Sequence, residues 1–135
     1  MVYLLDTNAL RDLLHGHVRM MERMSSTIFP HRVITSVIVR GEALFGVERM
    51  PPGRRRAAVE QRVPQLLASL DAEPVSFAAA DRYARMKRAR EQQGLPMDEN
   101  DLWLAATTVV LGAVLVTRDG DFRKLPSLSV EDWTI

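Results

Sequence analysis

The chain has 135 residues and a formal net charge of +1. That length suits one domain, residues 1–135, with a real core, and the balanced charge announces neither nucleic acid nor a membrane surface. It has no cysteine, which excludes disulfides and thiolate metal sites, so any metal must be held by oxygen or imidazole. The longest apolar stretch, Leu102 to Val116, falls short of the roughly 18–20 residues that cross a bilayer. The apolar start lacks a basic leader and is interrupted early by Asp6, so a soluble cytoplasmic protein is expected.

In chain order, Val2 to Leu5 is apolar without polar alternation, as in a strand buried on both faces. It ends at Asp6. Thr7 and Asn8 carry short oxygen-bearing side chains suited to a helix start, and one helix is expected from about Ala9 to Met24. Its methionines Met20, Met21 and Met24 read as gap-filling core, with a partner surface as the alternative. Arg32 to Thr35 is a second strand. Ser36 caps a helix to about Met50, with Val37, Ile38, Leu44, Phe45 and Val47 expected on its buried side.

Pro51-Pro52-Gly53 is a stop signal. A helix then runs from Arg54 to Leu70, which Pro64 should kink or divide. Glu73 to Phe77 is a short strand, Ala78 to Gln93 a helix closed by Gly94, and Leu95 to Glu99 a loop. Asp101 to Leu111 is helical, Gly112 ends it, and Ala113 to Thr117 is another buried strand. Arg118 to Lys124 is a polar turn, and Leu128 to Glu131 a last edge strand. Strands alternating with helices imply an α/β fold, a parallel sheet wrapped by helices.

Acids recur at equivalent points of this pattern. Asp6 follows the first strand, where open α/β sheets build sites. Glu42 lies in the second turn of the helix after the second strand, on the flank of its apolar face, where a carboxylate is costly unless compensated. Asp101 opens the helix before the Ala113 strand, and Asp119 follows that strand, with Asp121 two residues on. Each alone has an ordinary reading: Asp6 as a strand end or cap, Glu42 as a solvated helix residue, Asp98 and Asp101 as a cap and its third-position partner, Asp119-Gly120 as a turn. Together they suggest one acidic cleft. Several carboxylates in a cleft repel unless a cation neutralises them. An all-oxygen site suits Mg²⁺ or Mn²⁺, which activates water and stabilises phosphoryl charge, so phosphodiester hydrolysis is the implied chemistry.

In order, the chain carries Leu5-Asp6-Thr7-Asn8, Ile34-Thr35-Ser36 leading into Gly41-Glu42-Ala43-Leu44-Phe45-Gly46, and Asn100-Asp101-Leu102-Trp103-Leu104-Ala105-Ala106. Val116-Thr117-Arg118-Asp119-Gly120-Asp121-Phe122 follows, then Val130-Glu131-Asp132-Trp133. Over essentially its whole length the chain thus resembles the PIN-domain family, and within it the VapC-type toxins of toxin–antitoxin pairs. The resemblance implies a three-layer α/β/α fold, a homodimer, a cognate antitoxin, and Mg²⁺- or Mn²⁺-dependent cleavage of single-stranded RNA. It carries Asp6 and Asp101 over as principal metal ligands, Glu42 and Asp119 as supporting acids, and Asn8 and Thr117 as residues that hold the geometry. Asp98 and Asp121 are further acids that could contribute.

RNA binding needs cations near the acids. Arg118 is the one expected nearest a substrate phosphate. Arg49, Arg54, Arg55 and Arg56 form a second set, and Arg82, Arg85, Lys87, Arg88 and Arg90 a third; ordinary solubilising charge accounts equally well for most of them. His15, His17 and His31 have no metal-like spacing with the acids. Three other readings compete with the toxin: a PIN nuclease of RNA maturation or decay, an inactive RNA-binding protein, and a phosphatase with Asp6 as phosphorylated nucleophile. The last normally wants an acid where Asn8 stands.

Overall fold

The computed structural model describes residues 1–135. Its strands are β1 (Val2–Leu5), β2 (Arg32–Ser36), β3 (Ala72–Glu73), β4 (Val114–Val116) and β5 (Ser129–Glu131). Its helices are α1 (Thr7–Leu14), α2 (Val18–Ser26), α3 (Val37–Glu48), α4 (Arg54–Ala68), α5 (Phe77–Gln92) and α6 (Glu99–Leu111), with a 3₁₀ turn over Gly120–Lys124. All four strand pairings are parallel and the order is β3-β2-β1-β4-β5, the expected α/β fold.

That order determines where a site can form. The chain builds outward from β1 through β2 to β3, then returns to lay β4 on the other side of β1. Strand order therefore reverses between β1 and β4, and the crevice beyond their carboxyl ends is the usual ligand position of an open parallel sheet. Register is tight there: Leu4 faces Ile34 and Leu115, and Leu5 faces Val116. The Asp6 N–H still donates to the Val116 carbonyl at 3.2 Å. Leu4, Leu5 and Leu115 are fully buried, and Phe122 and Trp133 pack into the same core. Burial on both faces is why β1 and β4 read as unbroken apolar runs.

Several expectations are corrected. The Ala9–Met24 helix is two helices, split at His15-Gly16-His17. Gly16 takes φ +74°, a left-handed conformation that ends α1, and His17 Nδ1 accepts from the Met20 N–H at 3.4 Å to start α2. Of its methionines, Met20 is buried and Met24 packs on the core, but Met21 is half exposed. On α3 the buried stripe is Val39 and Val47, while Val37, Leu44 and Phe45 face outward. A helix apolar nearly all round gives no reliable angular signal. Pro64 does not divide α4, which continues to Ala68. Pro64 is exposed, so water can take the carbonyl that its missing N–H leaves free. Pairing in β3 stops at Glu73, before Pro74, because proline has no ladder N–H. α6 starts at Glu99, two residues early, because Asp98 caps it.

Candidate active site

β1 delivers Asp6 to the crevice. The side chain is 4% exposed, and Oδ1 accepts the Ala9 N–H at 2.7 Å, so Asp6 also caps α1. The cap bonds one oxygen, and the carboxylate as a whole remains a buried charge. Burial is the main reason its pKa rises to about 6, and the charges of Asp119 and Asp12 add to the rise. Hydrogen bonds from the Thr117 hydroxyl and the Ala9 N–H act in the opposite direction.

Glu42 arrives from the second turn of α3. It is half-buried, as its helix position suggested. The Thr7 hydroxyl, on the first residue of α1, donates to Glu42 Oε1 at 2.7 Å. Asp101 stands at the third position of α6. Asp98 caps that helix, its Oδ2 accepting the N–H groups of Asn100 at 3.1 Å and Asp101 at 3.4 Å. The Asp101 carboxyl is pushed up to about 6, first by burial and then by the charges of Asp98, Glu42, Asp119 and Asp6. Asp119 follows β4. Its N–H donates to the hydroxyl of buried Thr117 at 3.0 Å, and its Oδ1 accepts the Asp121 N–H at 2.9 Å.

Four acids from four segments thus share one electrostatic environment at the β1/β4 crevice. No three of them sit close enough to grip one ion by side chains alone. The donor set is nonetheless one that a hard divalent cation suits. It is all oxygen, and two of its carboxyls are raised to about 6, first by burial and then by neighbouring carboxylates, both costs that a bound cation would offset. Mg²⁺ and Mn²⁺ need few protein ligands, with water completing the shell.

The remaining expected residues sit further out. Asn8 Oδ1 accepts from Arg11 Nη1 at 3.4 Å, and no bond joins it to the acids. Asp121 is exposed and paired with Lys124 at 3.2 Å. Arg118 is not free: its Nε bonds Asp12 Oδ2 at 3.0 Å. Sequence reading missed Thr7 as a partner of Glu42 and missed Asp12 altogether. Both contacts join segments distant in the chain, and the only local signal was a short polar residue beside Asp6.

Next to Glu42 and Thr7 opens a groove of about 570 Å³ between α1, α3 and α4. Leu10, Leu14, Val63 and Leu66 line it, and Arg49, Arg54, Arg55 and Arg56 border it. Arg56 is tied down by Glu60 at 2.6 Å and by the Met50 carbonyl at 2.8 Å. Two of the α5 cations are less available than a solvated face would make them. Arg90 is buried, with Nε unpartnered, and Lys87 pairs with Glu99 beside the stacked rings of Tyr83 and Trp103.

Comparison with known proteins matches the PIN domain over residues 3–128. Ribonuclease VapC1 of Haemophilus influenzae (strain R2866) is 27% identical over 139 residues, spanning 99% of both chains. Ribonuclease VapC5 of Mycobacterium tuberculosis is 30% identical over 105 residues, 76% of each chain. Among solved structures, VapBC-1 from nontypeable Haemophilus influenzae superposes with a TM-score of 0.88 at 26% identity over 100% of both chains. VapBC2 from Rickettsia felis, bound to a promoter DNA fragment, shares the fold with a TM-score of 0.89 at 24% identity over 98% of this chain and 99% of that one. With the acids gathered at the β1/β4 crevice and the family pattern running from Tyr3 to Leu128, the chain belongs to the PIN-domain family.

Proposed function

We propose that this chain is a divalent-metal-dependent endoribonuclease cutting single-stranded RNA, and that it acts as the toxin of a toxin–antitoxin pair in the cytoplasm. The observation that carries this reading is the convergence of Asp6, Glu42, Asp101 and Asp119, from four separate segments, on one crevice of a PIN fold. Relatives named as ribonucleases support the chemistry, and a VapBC neighbour supports the pairing. Residues 1–135 form one domain in this reading, and the active species is a homodimer.

Asp6 and Asp101 are the principal holders of Mg²⁺ or Mn²⁺, with Glu42 and Asp119 supporting. When bound, the ion supplies an activated water and stabilises charge on the phosphoryl group. The chain's own part is positional. The α1 cap orients the Asp6 carboxylate, Thr7 holds Glu42, and Thr117 bridges Asp6 and the Asp119 backbone. Asp98 holds the first turn of α6 and thereby Asp101. Asn8 and Asp121 stand at the margin. Arg118, adjacent in sequence to Thr117 and Asp119 and held by Asp12, is the cation we assign to a substrate phosphate. The apolar, arginine-bordered groove beside Glu42 is where we seat the antitoxin, through a segment that combines apolar and acidic side chains.

The test is cleavage of mixed-sequence single-stranded RNA with Mn²⁺, Mg²⁺ or EDTA, comparing wild type with Asp6→Ala and Asp101→Asn. The expected result is metal-dependent cutting that both variants lose. A folded, inhibitor-free preparation that binds RNA and never cuts it would favour the inactive binding protein instead.

A further inference from the structure

Arg118 stands between Thr117 and Asp119, on backbone fixed at the crevice: the Thr117 N–H donates to the Glu131 carbonyl and the Asp119 N–H to the Thr117 hydroxyl, both at 3.0 Å. Asp12 comes from α1, and the two residues are 106 apart in sequence. Their bond, Nε to Oδ2 at 3.0 Å, joins an aspartate side chain 15% exposed to an arginine side chain 48% exposed. The pair therefore has a direction, with its anion turned inward and its cation outward. Asp12 also lies near enough to Asp6 for its charge to act there. A further carboxylate acting on Asp6 is unfavourable there. A guanidinium has five N–H donors. One is used here, and the Nη groups make no bond within the protein. A free arginine loses rotamer freedom when it grips a ligand, and one already tethered loses less.

We infer that Asp12 is a positioning residue for substrate, holding Arg118 at the mouth of the acid crevice so that its Nη groups take a phosphate of the RNA strand. This rests on the nuclease reading above. It is separable from that reading, because binding can be measured without cleavage.

The experiment follows anisotropy of a labelled mixed-sequence single-stranded RNA in EDTA, where no strand is cut, for wild type, Asp12→Ala, Asp12→Glu, Arg118→Ala and the Asp12/Arg118 double alanine variant. Arg118→Ala should bind about ten-fold more weakly and flatten the dependence of log K on log salt by roughly 0.7. The sign for Asp12→Ala is diagnostic. Removing an anion should tighten RNA binding if Coulomb attraction alone acts, whereas loss of positioning should weaken it. We expect weakening close to that of Arg118→Ala, no further loss in the double variant, and partial recovery in Asp12→Glu. Affinity of Asp12→Ala equal to or above wild type overturns the inference, as does an additive double variant. Wild-type affinity in Arg118→Ala overturns it even if Asp12→Ala fails to fold. Wild type that does not bind RNA at all would count against the nuclease reading as well.

Discussion

The Thr7 hydroxyl and the Glu42 carboxylate meet at 2.7 Å across 35 residues of sequence. The bond ties the first turn of α1 to the second turn of α3, so Glu42 has a set direction rather than a free rotor. Thr7→Val keeps the shape and removes the donor. Because Glu42 is only half-buried, water can replace the lost donor, and stability should fall by no more than about 1 kcal/mol. Cleavage should fall further, by roughly ten-fold in kcat, with Thr7→Ser recovering most of it. Single-turnover rates and thermal melts on the same proteins separate the two effects; equal kcat in wild type and Thr7→Val would remove this contact from the catalytic geometry.

Asp6 and Asp101 both have carboxyl groups raised to about 6, chiefly by burial. The sign follows directly. The native state holds protons that the unfolded chain has released between about pH 4 and 6, so stability falls as pH rises through that window. Asparagine caps a helix as well as aspartate does, so Asp6→Asn removes the charge and keeps the cap. In EDTA at pH 7.5 this variant should be more stable than wild type by about 2–3 kcal/mol, the gain shrinking below pH 6 and vanishing near pH 4. Asp101→Asn should gain less, because solvent screens its half-exposed carboxylate. Melts across this range check the claim. An Asp6→Asn protein less stable than wild type at pH 7.5 would mean that the carboxylate's own contacts outweigh its burial.

The same buried carboxylates set the response to metal. A divalent ion that binds the folded crevice stabilises it, by about 2.7 kcal/mol at a hundred times Kd. Mn²⁺ should therefore raise the melting temperature of wild type at pH 7.5. The increment should shrink by pH 5, where protons compete for Asp6 and Asp101, and be absent in Asp6→Asn and Asp101→Asn. Calorimetry in two buffers should show proton release on Mn²⁺ binding near pH 6. Equal Mn²⁺ affinity at pH 5 and pH 7.5 would place the ion away from these two acids.

What could be read ahead of the structure was local. β1 ending at Asp6 is an apolar run meeting a carboxylate, and Gly112 ending α6 with φ +63° is a residue that takes the left-handed conformation at no steric cost. Both signals lie within a few neighbours. The split at Gly16 was hidden because apolar spacing continues across it, with Leu13 and Leu14 followed by Met20 and Met24. On α3 the expected burial holds at Val47 but not at Val37, Leu44 and Phe45, because these are as apolar as Val39 and only the packing of α3 on the sheet and on α1 and α4 decides which set faces in. At the site, the order of the acids along the chain indicated their convergence, but the contacts that orient them did not follow from it. Thr7 with Glu42, and Asp12 with Arg118, join segments that only the sheet order brings together.

Asp98 allowed two readings from sequence, a helix cap or an additional metal ligand, and the structure shows its Oδ2 bonded to two N–H groups of α6. The two roles can be separated by chemistry. Asp98→Ala removes cap and charge and should cost about 1 kcal/mol of stability. Asp98→Ser keeps a capping oxygen, removes the charge, and should leave stability near that of wild type. After burial, the Asp98 charge is the first cause holding the Asp101 carboxyl high. Both variants should therefore lower the Asp101 pKa and move the acid limb of the pH–rate profile to lower pH. If Asp98 is a cap and no more, Asp98→Ser cuts RNA at close to the wild-type rate at pH 7.5 and binds Mn²⁺ as tightly. A hundred-fold loss of Mn²⁺ affinity in Asp98→Ser, with stability intact, would instead make this carboxylate part of the metal site, and its bonds to the α6 backbone would then have to be released when the ion enters.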